Sequence, residues 1–269
     1  KLLMNFRYIK CTNTNQLVQN FFELTVDQSS IPLKSKVIPT AQSHIIYTNT
    51  PIQTECNKVT YNSNGLVVLG QSYKSYVLKA TNPYFNFGIN FHPTALYKIL
   101  KTDISKLTDK HVSLSEIDNK LYTLLNPIFK ENLKGTALAK RIENQLQKLE
   151  LYECKNTKLV DEAVKVIYKK EGKMNVEELL KIFPISQKHL EVQFKKTIGL
   201  TPLKFIKLYK FLSLMKQYEA KKASISELID YYAYYDLSHF TKDFKLFMNQ
   251  KPSDYFKSEN IFLNNYLKL

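Results

Sequence analysis

The chain has 269 residues, of which 44% are hydrophobic, and this is enough for two domains with packed cores. No apolar run is long enough to span a membrane, and the start of the chain lacks the apolar core of a secretory signal. The net charge of +15 favours a polyanionic partner, but the basic excess is spread over both halves and locates no binding face.

The three cysteines, Cys11, Cys56 and Cys154, are far apart in the sequence. Their spacing argues against a disulfide framework and against a CxxC zinc site. We therefore expect three reduced thiols in a cytoplasmic protein, where such thiols usually act as small buried hydrophobic groups.

Residues 4–92 have the pattern of short β-strands. Apolar or alternating runs are separated by clusters of Asn, Pro, Gly and Ser, and examples are FRYI, SHIIYT, GLVVLG, SYVLKA and NFGINF. Such runs predict a small β-barrel or sandwich. From Pro93 onward the spacing of apolar residues is that of amphipathic helices, interrupted at Pro127 and Gly135. These helices are predicted to follow the β unit within one domain.

The second half of the chain is helical in period throughout. The polar triplet at residues 155–157 is a candidate linker, so the predicted domains are residues 1–155 and 156–269. The predicted fold class is α+β, with a small β-barrel or sandwich and trailing helices in the amino-terminal domain and an all-α carboxy-terminal domain.

Start and stop signals divide the second half into helices. Asn175 with Glu178 and Ser224 with Glu227 have the spacing of capping boxes. Further signals start or end a helix at Ser186, Gly199, Pro202, Asp236, Asn249 and Pro252. The helix that begins at Pro202 is predicted to be long and to reach Lys222.

Two stretches of the second half resemble each other. ISQKHLEVQFKKTIGLTPLKF begins at Ile185 and YDLSHFTKDFKLFMNQKPSDYF begins at Tyr235, and Phe194 returns as Phe244. Each copy is a helix, a short break and a second helix, which we call its reading helix. A single such pair is more typical of a plain helical bundle. Two pairs joined by one long helix can instead present their reading helices to successive major grooves of DNA.

The residues of both copies resemble the DNA-binding domain of the AraC/XylS family of bacterial transcription regulators. The resemblance covers residues 158–256 and is carried by a run of Ser, Leu, Phe–Lys, Gly and Pro in the first copy. The second copy has Ala233–Tyr234 where the family usually has Gly–Phe, Ile229 for a small residue and Asn249 for Gly. The first half resembles, more weakly, the amino-terminal domain of one branch of that family. The resemblance implies a DNA-binding transcription regulator whose amino-terminal domain is a β-barrel-like unit with trailing helices.

The reading helices are predicted to bury Leu190 with Phe194 and Phe240 with Phe244, because residues four apart lie on one helix face. The opposite faces carry the candidate DNA-binding residues, which are Gln187, Lys188, Glu191, Val192 and Lys195 in the first copy and Leu237, Ser238, Thr241, Lys242 and Lys245 in the second. The family resemblance places base contacts at Lys188, Glu191 and Val192. For any single lysine, a solvated helix face is an equally good interpretation.

Residues 156–269 contain no arginine. The planar guanidinium fork that binds guanine through two hydrogen bonds is therefore missing from this half. We expect a modest affinity for DNA that depends strongly on salt, with a preference for sites rich in A·T pairs.

The first half is predicted to regulate DNA binding, either by binding a small effector or by dimerising. Aromatic residues on its strands are candidates for lining an effector pocket, although such residues are more often ordinary core, and they are Tyr47, Tyr61, Tyr73, Tyr84, Phe85 and Phe87. The helices between residues 114 and 151 are a candidate dimer seam. Double-stranded DNA is the predicted partner, RNA polymerase and a second copy of the chain are candidates, and no membrane partner is expected.

An enzyme is not expected. The five histidines form no HxH or HExxH spacing, and the sequence contains no GxSxG, P-loop or GxGxxG. His44 and Glu55 could face each other in a barrel, but a metal there is disfavoured, so no cofactor is predicted. The alternative function is a protein-interaction module in which the helix-turn-helix units no longer dock on DNA.

Overall fold

The computed structural model describes residues 4–12, 17–220, 223–257 and 267. In the first half of this described chain, eight antiparallel strands form one hydrogen-bonded network. The strands are Met4–Lys10 (β1), Val18–Val26 (β2), Leu33–Val37 (β3), Ser43–Cys56 (β4), Val59–Leu69 (β5), Tyr76–Ala80 (β6), Tyr84–Phe91 (β7) and His111–Ser113 (β8). The predicted amino-terminal β unit is thus confirmed, while β8 lies in a region that the sequence predicts as helical.

The long strand β4 bends and joins the two parts of the β unit. Its residues 43–48 pair with β7, its residues 53–55 pair with β6, and the register against β5 shifts between Thr48 and Ile52. An irregularity of this kind bends a strand and lets it pass from one sheet layer to another. The remaining strand order is β1-β2-β7-β4-β5-β8, with β3 paired to β6.

Alternation along the strands gives the β unit two cores. In β5, Leu66 and Val68 face a cluster shared with the helices, whereas Val67 and Leu69 face a cluster made by strand residues. Successive side chains of a strand point to opposite faces, so one face packs on helices and the other fills the unit.

The helices of the first half cover the outer face of the sheet. They are Ala95–Leu100 (α1), Leu114–Ile117 (α2), Asn119–Leu125 (α3) and Gly135–Leu146 (α4). Their apolar residues, such as Leu121, Leu138 and Ile142, are buried in the cluster with the sheet. The apolar stripe of these helices, which was the candidate dimer seam, is thus packed within its own chain.

The predicted linker is also wrong, because residues 155–157 form the first turn of helix α5, Lys155–Lys169. Thr157 is fully buried, and its hydroxyl accepts a hydrogen bond from the backbone N–H of Cys154 at 2.9 Å. A polar triplet can thus begin a helix when its hydroxyl satisfies a free N–H at the helix start.

The other helices of the second half follow the predicted signals. They are Val176–Ile182 (α6), Gln187–Ile198 (α7), Pro202–Glu219 (α8), Ile225–Tyr231 (α9), Leu237–Met248 (α10) and Pro252–Lys257 (α11). Both predicted capping boxes are present, at Asn175 and at Ser224. The helix from Pro202 ends at Glu219 with Ala220 as its C-cap, one residue or more before the predicted end, and residues 221–222 of the predicted helix lie outside the described residues.

The two halves share buried surface. Ile38 and Ala41 of the first half lie in the same apolar cluster as the second-half helices. Lys98 in α1, only 2% exposed, forms ion pairs with Asp161 of α5 at 2.7 Å and with Glu153 at 3.2 Å. No helix of the described chain is long and apolar enough to cross a membrane.

Candidate nucleic-acid interface

The first reading helix, α7, is anchored on one side and open on the other. Ser186 caps it by accepting a hydrogen bond from the N–H of His189 at 3.2 Å. Leu190 and Phe194 are fully buried, whereas Val192 on the other side is 51% exposed. The helix ends at Gly199, whose left-handed backbone has φ of 96°. The predicted division into a buried and an open face is confirmed.

The second reading helix, α10, repeats this arrangement. Asp236 caps it by accepting from the N–H of His239 at 2.6 Å. Phe240 and Phe244 are fully buried, and Leu237 in the first turn is 65% exposed. Asn249 ends the helix in the left-handed conformation, with φ of 50°, where the first copy has a glycine.

None of the ten predicted DNA-binding residues is buried. Glu191 and Thr241 are half-buried, and the other eight are exposed. On α7, the amide Nε2 of Gln187 donates to the carboxylate of Glu191 at 2.8 Å. Each of these two side chains therefore helps to hold the other in place. Each set spans nine residues, which is about two and a half turns of its own helix.

The long helix α8 holds both reading helices. Phe205 of α8 packs edge-on against Phe194 of α7, with ring centroids 6.2 Å apart. Farther along α8, Phe211 packs edge-on against Phe244 of α10 at 5.7 Å. Phe194 and Phe244, which are equivalent in the two copies, therefore both contact α8, as expected for two units joined by one connecting helix.

A charged pair adds to the second of these contacts. Asp243 of α10 is 3% exposed, and its Oδ1 lies 3.2 Å from the Nζ of Lys207 on α8. Its second oxygen, Oδ2, has no hydrogen-bond partner among the described atoms. A buried carboxylate favours the position of α10 on α8 in which its ion pair with Lys207 is kept, since separating that pair would be costly.

The larger residues by which the second copy differs from the family pattern fit into the structure. Ala233 adopts a left-handed backbone with φ of 51°, the conformation for which glycine is better suited. Tyr234 is 5% exposed, and the ammonium of Lys210 lies 3.9 Å from the centre of its ring. Ile229 is 7% exposed and belongs to the same apolar cluster. The second copy is thus packed like the first.

Tyr235 is a candidate DNA contact that the sequence did not single out. It is 92% exposed and directly precedes the cap of α10. Its neighbours Tyr232 and Tyr234 are buried. The position of Tyr235 directly before a helix cap is the signal in the sequence that could have pointed to it.

The predicted effector-lining aromatics lie in separate places. Tyr47 stacks on Phe129 at 4.2 Å, and Phe87, which is fully buried, also contacts that ring. Phe85 is half-buried beside the same cluster, and Tyr84 is buried with the strand cluster. Tyr61 stacks on His111 at 5.4 Å, and Tyr73 packs against Phe247 of α10 at 5.2 Å. The structure does not bring them to one pocket.

Two buried histidines are held neutral by their surroundings. Burial lowers the pKa of His44 to about 4, and its ring nitrogens lie 2.7 Å from Asn90 Oδ1 and 2.9 Å from Thr40 Oγ1. Burial also lowers the pKa of His111 to about 4. Glu55 pairs with Lys79 rather than with His44, and the described residues contain no cluster of three metal-ligating side chains.

A small polar cavity of about 40 Å³ lies where the two halves meet. Tyr8 and Gln42 line it from the first half, and Tyr168 and Lys216 line it from the second. Burial lowers the pKa of Lys216, and no carboxylate of the described residues contributes to that shift. The cavity therefore offers a cation and several hydrogen-bonding groups, and none of the described residues that line it is a carboxylate.

Two family models match separate parts of the sequence. Residues 11–113 match a domain of unknown function, DUF6597, and residues 179–258 match a helix-turn-helix domain. The second match begins in α6 and ends after α11, so it contains both copies of the repeated unit. No curated protein matches the sequence.

Solved structures with a similar fold include ToxT from Vibrio cholerae O395 bound to (E)-4-(8-methylnaphthalen-1-yl)but-3-enoic acid. The TM-score is 0.50 at 12% identity, over 94% of this chain and 98% of that one. The AraC-like transcriptional activator CuxR matches with a TM-score of 0.32 at 13% identity, over 84% of this chain and 90% of that one. At such identities a likeness concerns the fold alone.

Proposed function

We propose that this chain, a DNA-binding transcription regulator with an AraC-type helix-turn-helix domain, reads a specific double-stranded DNA sequence. It uses helices α7 and α10 together to do so. The AraC type is a family of regulators and not of enzymes. The observation that carries the proposal is the shared division of both helices, with phenylalanines fully buried against α8 and the predicted contact residues open. Two helices with the same open side, both packed on one connecting helix, are what is needed to enter successive major grooves.

The open faces carry groups suited to base edges. In the first copy, Lys188 can donate to guanine, Glu191 can accept from the cytosine amino group, and Val192 can contact a thymine methyl. In the second copy, Leu237 and Thr241 suit thymine methyls. These five residues are proposed to discriminate between sites.

Other open residues suit the backbone of the duplex. Lys195 and Lys245, each one turn farther along its helix and exposed, are proposed to contact phosphates, which position the protein without reading sequence. Lys242 can serve either role, while Gln187 and Ser238 are polar contacts near the helix starts.

The test is the affinity of lysine variants for a duplex selected by the wild-type protein. We expect Lys188→Ala to cost about 1–3 kcal/mol on the selected duplex and to relax discrimination at one base pair. Lys140→Ala, an exposed lysine of α4, is the matched control and should bind as wild type does. Equal binding of Lys188→Ala and wild type to selected and random duplexes would favour the alternative, a protein-interaction module.

Control by a small effector is the finer part of the proposal. The cavity around Lys216 supports an effector that carries a carboxylate, because the half-buried Lys216 has no carboxylate beside it among the described residues that line the cavity. ToxT, whose fold is similar, has been solved with a carboxylic acid bound. A space of about 40 Å³ accepts little more than a carboxylate, so a larger effector must shift the two halves, and this couples binding to the reading helices.

The effector proposal is tested by thermal unfolding with (E)-4-(8-methylnaphthalen-1-yl)but-3-enoic acid as the probe. The midpoint should rise for wild type and for Lys140→Met, and it should stay unchanged for Lys216→Met. An equal rise in all three proteins would place the binding elsewhere. RNA polymerase and a second copy of the chain remain predictions from the sequence.

A further inference from the structure

Both reading helices end against the amino-terminal half. At the end of α7, the hydroxyl of Thr108 donates to the carbonyl oxygen of Gly199 at 2.8 Å. A Cβ atom on Gly199 would lie 2.6 Å from that hydroxyl and 3.3 Å from the carbonyl oxygen of Ile104. Glycine here therefore serves two needs, the left-handed turn and the close approach of residues 104–108.

The end of α10 is held by more hydrogen bonds. The ammonium of Lys36 donates to the carbonyl oxygen of Met248 at 2.9 Å, and the N–H of Ser75 donates to the carbonyl oxygen of Phe247 at 2.6 Å. The amide Nδ2 of Asn249 donates back to the carbonyl oxygen of Ser75 at 3.2 Å. Carbonyl groups at the end of a helix lack partners within it and carry partial negative charge, so donors and a cation there are stabilising.

Asn249 thus has a use that a glycine would lack. Both asparagine and glycine tolerate the left-handed conformation that ends α10, but only asparagine can reach the backbone of Ser75. The two copies of the repeat use different residues at this position because each meets a different loop of the first half.

The two points of attachment are joined within the first half. The carboxylate Oδ1 of Asp109 accepts from the N–H of Tyr73 at 2.8 Å, and the N–H of Asp109 donates to the carbonyl oxygen of Gln71 at 3.1 Å. Asp109 therefore ties residues 104–109, which contact α7, to residues 71–75, which contact α10. We call these two joined segments the brace.

We propose that the brace sets the distance and rotation between the two reading helices, so that the amino-terminal half helps determine which half-site spacing the protein accepts. This inference rests on the function proposed above. The brace contacts carbonyl groups at the ends of α7 and α10 and leaves Lys188, Val192, Leu237 and Lys242 exposed. It therefore positions the reading faces without covering them.

The experiment uses two substitutions at Asp109, whose backbone is left-handed with φ of 57°. Asp109→Gly removes the carboxylate and suits that backbone, whereas Asp109→Asn keeps an oxygen that can accept from Tyr73 and also tolerates it. The affinity of each full-length protein is measured for duplexes in which the spacer between the two selected half-sites is varied one base pair at a time.

Wild type and Asp109→Asn should show a sharp optimum of spacing. Asp109→Gly should lose about tenfold at that optimum while binding an isolated half-site as wild type does, because a looser pair of helices must be ordered on binding. Thr108→Val, which removes the hydrogen bond from the brace to Gly199, should also lower the affinity at the optimal spacing and broaden the spacing profile. It serves as the second variant if Asp109→Gly fails to fold by circular dichroism.

Two results would overturn the inference. One is a spacing profile of folded Asp109→Gly and Thr108→Val that matches wild type. The other is an equal gain in affinity at every spacing, which would mean that the brace holds the helices away from DNA. If the wild-type protein binds neither half-site, the proposed function is wrong. If the variants bind each half-site normally and their spacing profile equals that of wild type, only the proposed role of the brace is wrong.

Discussion

The ammonium of Lys98 lies 2.7 Å from the carboxylate of Asp161, and the lysine side chain is only 2% exposed. This pair joins α1 of the first half to α5 of the second, and the hydroxyl of Thr94 also donates to Asp161. A second carboxylate, that of Glu153, lies at 3.2 Å and is itself 42% exposed. The two halves are thus connected by a lysine whose side chain is almost entirely buried.

Asp161→Ala should destabilise the protein by about 2–3 kcal/mol, because it leaves a buried ammonium with a single carboxylate partner, the partly exposed Glu153. Unfolding in urea measures the change. Glu162→Ala is the matched control, since Glu162 is exposed in its pair with Lys165 and should cost less than about 0.5 kcal/mol. A loss of stability no larger than that of the control would show that Lys98 is not held by Asp161.

The buried histidines predict a loss of stability in mild acid. His111 has a folded-state pKa of about 4, below the value of about 6.5 expected in the unfolded chain. The unfolded state therefore binds the extra proton first, and the stabilising contribution is lost as pH falls from above 6.5 toward 4. Between pH 7.5 and pH 5.5 the wild type should lose about 1 kcal/mol from this residue.

The measurement compares the free energy of unfolding of wild type and His111→Gln at both pH values. The variant should show a pH dependence smaller by about 1 kcal/mol. His189→Gln, which alters an exposed histidine of α7, is the control and should keep the wild-type dependence. Identical slopes for wild type and His111→Gln would mean that His111 is protonated equally easily in both states.

Gly199 and Ala233 both have a left-handed backbone. Replacing the glycine by alanine should therefore lower the stability of the protein, and replacing the alanine by glycine should raise it. Gly199→Ala should destabilise by about 1–2 kcal/mol through the backbone alone, with a further loss from the contact with Thr108. Ala233→Gly, at an exposed position with φ of 51°, should stabilise by about 0.5 kcal/mol. Thermal unfolding of both variants checks this, and a stabilising Gly199→Ala would contradict the described turn.

The local features of the second half could be predicted because they depend on neighbours in sequence. Ser186 and Asp236 cap their helices by accepting from an N–H three residues on, and Phe194 and Phe244 are buried by their helical spacing. Such rules need no knowledge of the rest of the chain. The same rules wrongly predicted a linker at residues 155–157. Their polar composition suggested a linker, but the buried hydroxyl of Thr157 accepts from the N–H of Cys154 and starts a helix there.

The contacts between the halves could not be predicted from the sequence. Thr108 and Gly199 are 91 positions apart, and Asn249 and Ser75 are 174 apart. No periodicity connects such residues, and each is unremarkable in its own segment. The aromatic residues chosen for an effector pocket failed to converge for the same reason, since strand composition does not tell which face of the β unit a side chain joins.

The exposed lysines of the reading helices predict how DNA binding responds to salt. A lysine that neutralises a phosphate releases a counter-ion, so the logarithm of the affinity should fall linearly with the logarithm of salt concentration. Lys245→Ala should reduce this slope by about 1 with little change in preference among sites. Fluorescence anisotropy at several salt concentrations measures both quantities, and an affinity that is independent of salt would contradict the proposed phosphate contacts.

The most direct test of the two reading helices is selection of bound duplexes from a random pool by the full-length protein. Two enriched blocks are expected on one face of the duplex, about one helical turn or roughly 10 base pairs apart from centre to centre. Lys188→Ala should weaken enrichment in one block and Lys242→Ala in the other. A pool without an enriched block, or with one block that neither variant affects, would show that α7 and α10 do not read DNA together.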